Sequence, residues 1–209
     1  MNFDRLAPFY RAMEFMTAGG KLQQCRTAFL HEIPTPRRVL IAGEGHGRFL
    51  PECVRKFPDA HITVLDSSGE MLAIARRKTN SQQVQFILAD MLEWNGPPGS
   101  YDLIVTNFFL DCFSEDTLPM VVSKLGDLAT PQAHWLLADF RVADGSAARL
   151  RSRAILALLY FFFRLTCQLQ ARKLIPPDGL LKAAGFTRQR SQLSEWGLLK
   201  SEWWLREQP

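Results

Sequence analysis

Residues 39–50, VLIAGEGHGRFL, decide how the chain is read. Four apolar residues, Val39-Leu40-Ile41-Ala42, stop at three alternating glycines, Gly43, Gly45 and Gly47, and a second apolar pair, Phe49-Leu50, follows at once. The run reads as a buried parallel strand and the pair as the start of a helix. A glycine turn between them lets a ligand approach the backbone, because no Cβ stands in the way. It also aims the free N–H groups of a helix N-terminus at that ligand. The turn is therefore read as the holder of a nucleoside cofactor.

Spacing separates the candidate cofactors. The dinucleotide fingerprint is G-x-G-x-x-G with an acid about 20 residues further on. Here the glycines are spaced G-x-G-x-G, and Arg48 stands where the third fingerprint glycine belongs, which weakens an NAD or FAD reading. The segment resembles motif I of the class I S-adenosylmethionine (SAM) methyltransferases, V-L-D-L-G-C-G-x-G, with Gly43, Gly45 and Gly47 matching. Ile41 replaces the acid common in that family, so a contact to the methionine end of SAM is either missing or supplied by Glu44. A tight turn in some other α/β protein is the plainer alternative.

The flanking segments carry the resemblance further. Residues 61–65 read as a second strand ending at Asp66, and an acid at the carboxyl end of that strand is well placed to accept hydrogen bonds from both ribose hydroxyls. D-S-S-G-E-M-L from Asp66 resembles the family's D-x-S-x-x-M-L. Ser67 and Glu70 have the spacing of a capping box for a helix over 68–79. Residues 84–88 form a third strand, followed by Asp90 and Met91. The resemblance implies an acid that bonds the adenine amino group and an apolar residue packed on the ring. A fourth strand, 101–107, begins with the family-like Y-D-L-I-V and leads to Asn107 and Asp111, the polar candidates for orienting or deprotonating an acceptor. Phe108, Phe109 and Phe113 line an apolar acceptor pocket or belong to the core.

Upstream, residues 2–33 read as helical, broken at Gly19-Gly20 and ended by Ile33-Pro34-Thr35-Pro36. The opening F-D-R-L-A-P-F-Y resembles the Y-D-x-x-A-x-x-Y of ubiquinone/menaquinone-type methyltransferases. That likeness implies a lid over the cofactor, spanning residues 1–36, with Tyr10 near the transferable methyl group; ordinary packing by Phe9 and Tyr10 is the alternative. His46, between two motif glycines, is read as packing beside the cofactor. Downstream, helix 114–128 starts with Glu115 and Asp116 as the helix dipole prefers. A turn at Thr130-Pro131-Gln132 and a fifth strand over 134–138 follow. Residues 178–184 form a short helix stopped by Gly185, and strands 186–193 and 198–205 close the sheet as a hairpin. L-L-K-A-A-G-F before such a hairpin resembles the C-terminal part of the same family.

The fold class expected is therefore α/β: a doubly wound, Rossmann-like, seven-stranded sheet with a C-terminal antiparallel hairpin and an N-terminal helical lid. Its 209 residues form one domain, with 141–177 as a helical insert over the acceptor side. Residues 147–170 are one long helix, apolar on nearly all faces between 154 and 163. Basic residues gather between 141 and 190, opposed there only by Asp144 and Asp178. This stretch reads as a lid over a hydrophobic acceptor, a dimer contact or an interfacial membrane segment; the sequence favours no particular oligomeric state. The four cysteines form no C-x-x-C pair and the four histidines have no metal-ligand spacing, so free thiols and no metal are expected. MNFDRLAPFY has no signal-like apolar core, which points to the cytoplasm, with or without peripheral membrane contact.

Taken together, the residues imply SAM-dependent methyl transfer by in-line displacement to a small, hydrophobic acceptor. Gly43, Glu44, Gly45, Gly47, Asp66, Ser67, Asp90, Met91 and Asn107 are the cofactor candidates; Asp111 and Tyr10 are the catalytic ones. The fourth strand ends in Asn-Phe-Phe-Leu and lacks the Asn-Pro-Pro-Tyr signature of nucleic-acid amino methylation, which argues against a nucleic-acid acceptor. Two other readings stay open: a non-catalytic SAM-fold protein that binds a partner or membrane through its Arg/Phe-rich helix, and an NAD-dependent oxidoreductase.

Overall fold

The computed structural model describes residues 20–79, 81–167, 171 and 173–207. Tyr10 and the first predicted helical stretch lie outside the described residues. Seven strands form one sheet: β1 (Arg38–Ala42), β2 (His61–Asp66), β3 (Val84–Leu88), β4 (Tyr101–Asn107), β5 (Ala129–Phe140), β6 (Phe186–Ser194) and β7 (Leu199–Arg206), in the order β3-β2-β1-β4-β5-β7-β6. The first five strands are parallel, and β7 runs antiparallel to both of its neighbours. The strand order reverses at β1, which pairs with β2 on one side and β4 on the other. Ligands of doubly wound sheets bind at that reversal, outside the carboxyl ends of the strands.

The central strands β1 and β4 are largely apolar because both faces are covered, while the edge strand β6 is polar and exposed. Along β1, Leu40 and Ala42 enter one core, with Ile104, Trp135, Leu137 and Trp204, while Val39 and Ile41 enter the other, with Leu103, Val105 and Leu136. Alternation with period two thus fills both layers from a single run. Helix α1 (Gly20–Thr27) takes in Gly20, half of the Gly19-Gly20 pair expected to break a helix, and ends before a short 3₁₀ turn, Leu30–Glu32. Helix α2 (Leu50–Lys56) carries Pro51 in its first turn, where the missing N–H costs nothing.

Three boundaries differ from the sequence reading, each for a local reason. Helix α3 (Gly69–Lys78) is capped by Ser68, whose Oγ accepts from the Met71 N–H at 3.2 Å, so the Ser67–Glu70 capping box gives way to a cap one residue later. Helix α4 starts at Leu118 (Leu118–Leu128) and not at 114, because Ser114 and Thr117 close a turn on each other first; the Ser114 N–H donates to Thr117 Oγ1 at 3.0 Å. Thr130-Pro131-Gln132 is no inter-element turn but an excursion within β5. Tyr101 pairs with Ala129 and Leu103 with His134, leaving four residues opposite one.

Helix α5 (Ser146–Cys167) and helix α6 (Asp178–Ala183) complete the described elements. Gly185, at φ +85°, stops α6 as expected. The β6–β7 hairpin is tied to α6 by a buried ionic network. Lys200 Nζ lies 3.1 Å from Asp178 and 3.3 Å from Glu202, and Arg188 lies 2.9 Å and 3.0 Å from the same two carboxylates. The Trp204 indole also donates to Glu202, at 3.1 Å.

Candidate active site

The site is built at the carboxyl ends of β1, β2 and β4. Past Ala42 the chain must turn sharply, and Gly43, Gly45 and Gly47 take φ of +72°, +61° and +73°. The three glycines serve different ends. A Cβ on Gly43 would run into the Phe109 ring, and one on Gly47 into the backbone of Ala75 in α3. At Gly45 no heavy atom stands within 4 Å, so its open side is where a ligand can reach the backbone.

Asp66, ending β2, fixes this loop. One carboxylate oxygen accepts from the Gly45 N–H and the other from the Ser68 N–H, both at 3.0 Å. Glu44 is buried behind the turn. Its Oε1 accepts from the N–H groups of Phe49 and Leu50, at 2.9 and 2.8 Å, and so caps α2. Burial pushes its carboxyl up to about 7, against the pull of those hydrogen bonds. His46 is buried; its Nε2 accepts from the Arg48 side chain at 3.2 Å and its carbonyl from Lys78.

Asp90, two residues past β3, closes a turn by accepting from the Leu92 N–H at 2.9 Å. Met91 is buried among Leu40, Ala42 and Leu65. Ser67 is exposed, beside the buried cap Ser68. Asn107, the last residue of β4, is 7% exposed, yet neither its Oδ1 nor its Nδ2 has a hydrogen-bond partner among the described residues. Buried amides are almost always paired, so one without a partner among the described residues calls for an explanation.

Beyond Asn107 the chain enters a strained turn. Phe108 has φ +53°, an uncommon conformation for a bulky residue. Its ring lies 5.0 Å from that of Phe140 and under the guanidinium of the buried Arg26 at 5.1 Å. Phe109 and Phe113 meet edge to face at 5.0 Å; Phe113 belongs to the core and Phe109 packs against it. The turn delivers Asp111 to a pocket it shares with Asp139, the buried acid near the end of β5. The backbone N–H of Asp111 donates to the Asp139 carboxyl, as does that of Phe140 at 2.8 Å. Burial pushes Asp111 up to about 6. Burial, and then the facing Asp111, hold Asp139 well above the usual carboxylate range, while Lys200 pulls the other way. Tyr160 of α5 donates to the Asp111 carbonyl at 3.2 Å.

The structure thus joins Gly45 to Asp66 at the strand reversal, ends the neighbouring strand β4 at Asn107, and sets Asp111 against Asp139 in the turn beyond. Sequence reasoning gave no role to Asp139, Arg26 or Tyr160. Asp139 had a usable signal: like Asp66, it ends an apolar strand at the carboxyl edge. Arg26 and Tyr160 had none, since each reaches the site only through the fold.

Comparison with known proteins gives one answer. Residues 39–132 match the family described as "Methyltransferase domain". The malonyl-[acyl-carrier protein] O-methyltransferase of Halalkalibacterium halodurans is 32% identical over 109 residues, 50% of this chain and 40% of that protein. The demethylmenaquinone methyltransferase of Thermus thermophilus is 30% identical over 117 residues, 54% of this chain and 53% of that one. The chain thus spans about half, or less, of the curated relatives it matches. The Burkholderia thailandensis 1,6-didemethyltoxoflavin-N1-methyltransferase, solved with 1,6-didemethyltoxoflavin and S-adenosylhomocysteine, superposes with a TM-score of 0.68 at 20% identity, over 99% of this chain and 86% of that one. Glycine turn, strand order and matched sequence agree: residues 39–132 are similar to the methyltransferase domain family, and the fold is that of the solved methyltransferase.

Proposed function

We propose that the protein transfers a methyl group from SAM to a small, hydrophobic acceptor. The observation that carries this reading is the Asn107 amide, buried and without a hydrogen-bond partner among the described residues, at the end of β4, the strand that pairs with β1 ahead of the open Gly45 turn. A cofactor seated there gives the amide its partners and fills the space the glycine leaves. Asp66 then faces the ribose hydroxyls, Asp90 and Met91 the adenine, and Ser67 the outer rim of the same site. Gly43 and Gly47 shape the turn, and Glu44 holds its far side in place. SAM supplies an electrophilic methyl on a sulfonium; the chain's task is to hold an acceptor in line with it. Alignment of that kind is worth up to roughly 7–11 kcal/mol.

The acceptor side is built from Phe108, Phe109 and the inner face of α5, which supports an apolar ligand. Asp111 is the candidate base: as the acceptor's nucleophile bonds to carbon and the carbon–sulfur bond breaks, its carboxylate takes the acceptor's proton. Tyr10, by resemblance, is the second catalytic candidate. A hydrophobic acceptor partitions between water and lipid, so peripheral contact with a membrane belongs to the same reading. The nicotinamide alternative loses its support, since the family and the relatives matched are methyltransferases.

The test is calorimetric titration of the protein with SAM, S-adenosylhomocysteine and NADH. Micromolar binding of the first two and none of the third is expected, and Asp66→Ala should abolish SAM binding. Unchanged SAM affinity in that variant would refute the site assignment.

A further inference from the structure

Helix α5 has two faces. Inward it buries Ser152, Leu156, Leu159 and Tyr160, the last touching Asp111. Outward it leaves Leu150, Leu158 and Phe161 exposed at 73%, 69% and 63%, with Ala154 and Ala157 between them. At roughly 100° per residue these five lie within a stripe about 100° wide. Arg149, Arg153 and Arg164 border the stripe on one side and Arg151 on the other. No aspartate or glutamate occurs between residues 145 and 177, and among the described residues no carboxylate forms an ion pair with Arg153 or Arg164.

A second, independent feature adjoins this stripe. The turn between β6 and β7 holds Glu195 and Trp196 at φ +51° and +59°, and Trp196 is 80% exposed. A strained backbone that keeps an indole in water needs a reason. Arg151 ties this tip to α5: it donates to the Glu195 carbonyl at 3.3 Å and lies 5.9 Å from the Trp196 ring centre. Phe140 registers with Leu199, so tip and helix share the carboxyl edge of the sheet, where the site opens.

We propose that the outer stripe of α5 and Trp196 form a docking surface for an anionic lipid bilayer, with the helix lying in the headgroup plane and the indole at the interface. Apolar residues rimmed by arginine, with tryptophan beside them, match such a surface in charge and in depth. No described helix is long and apolar enough to cross a membrane, so α5 lies on the bilayer. A second copy fits poorly, because pairing two such faces sets arginine rows together with no carboxylate to receive them. The proposal deepens the reading of a hydrophobic acceptor, since the same helix lines the acceptor side.

The test is co-sedimentation of the full chain with vesicles of phosphatidylcholine alone and of phosphatidylcholine mixed with phosphatidylglycerol, with SAM titration on the same samples. Binding to the mixed vesicles only, weakened by salt, is expected. Arg153→Gln and Arg164→Gln should each weaken it about five-fold, and Leu158→Glu with Phe161→Glu should abolish it while SAM affinity stays unchanged. Equal or absent sedimentation with both vesicle types overturns the proposal. So does a dimer in sedimentation velocity that Leu158→Glu with Phe161→Glu dissociates, which would make a second copy the occupant. SAM binding without vesicle binding overturns the docking surface alone; vesicle binding without SAM binding overturns the site and leaves docking standing.

Discussion

Replacing Asn107 by leucine should move stability and cofactor affinity in opposite directions. The side chain is 7% exposed, and both of its polar atoms are unpaired among the described residues. An unsatisfied buried amide costs about 1–3 kcal/mol, and leucine is close in volume and apolar. Asn107→Leu should therefore stabilise the ligand-free protein by roughly 2 kcal/mol, a rise in Tm of about 4–8 °C for a domain of this size. With SAM the sign reverses. Hydrogen bonds to a charged ligand are worth about 1.5–3 kcal/mol, so the variant should lose one to two powers of ten in affinity. Calorimetric melting without ligand and isothermal titration with SAM read the two effects separately. A variant that melts lower without ligand and binds SAM as tightly as the parent would refute the reasoning, because the amide would then be satisfied within the protein.

Three further outcomes follow from the same geometry. Gly45→Ala places a methyl group where no heavy atom stands within 4 Å; strain at φ +61° should cost only about 1–2 kcal/mol of stability, while titration should show SAM affinity falling at least about tenfold. Glu44, lifted to about 7 in the folded protein against a usual value near 4.5, holds its proton more tightly folded than unfolded between those values. Stability should thus fall as pH rises through that window, by about 3 kcal/mol in all. Glu44→Gln, which keeps an oxygen for Phe49 and Leu50, should flatten the difference between urea unfolding curves at the two ends. Burial lifts the Asp111 carboxyl to about 6, and the facing Asp139, held well above the usual carboxylate range, is the acid of the two that keeps its proton. Asp139→Asn should therefore leave the acid limb of the kcat/KM profile, where the rate falls as Asp111 takes up its proton, near that pH; a limb moved well below it would mean that Asp139 is charged there.

The parallel half of the sheet was legible because its signals are local. Residues 39–42 and 103–105 are apolar on both faces, three glycines mark the sharp turn, and Asp66 sits at a strand end. The hairpin was legible from Gly185 and the two runs beyond it. What escaped was decided by competition among neighbours or by distance. Two serines stood side by side at positions 67 and 68, and which of them caps α3 depends on where its backbone is extended; Ser68 has φ −108° and ψ 116°. Ser114 could have begun a helix, but Thr117 offered it a closer partner. In the site, Gly45 and Asp66 are about 20 residues apart and could be paired on paper. Asp111 and Asp139, or Arg26 and Phe108, become neighbours only once β4 and β5 lie side by side and α1 crosses them.

The place of β7 has a consequence for the order in which the molecule assembles. β6 precedes β7 in the chain, yet its backbone pairs with the sheet only through β7. The two must zip together before or as they dock, and until then β5 is a bare edge. That edge carries Trp135, Leu136 and Leu137, all fully buried once β7 arrives. A long apolar edge with unpaired N–H and C=O groups is a template for another chain. The interval between completing the parallel sheet and seating the hairpin is therefore when this protein is most exposed to aggregation. Once seated, the hairpin is held across its strands by Arg188 and Glu202 and to α6 by Lys200 and Asp178.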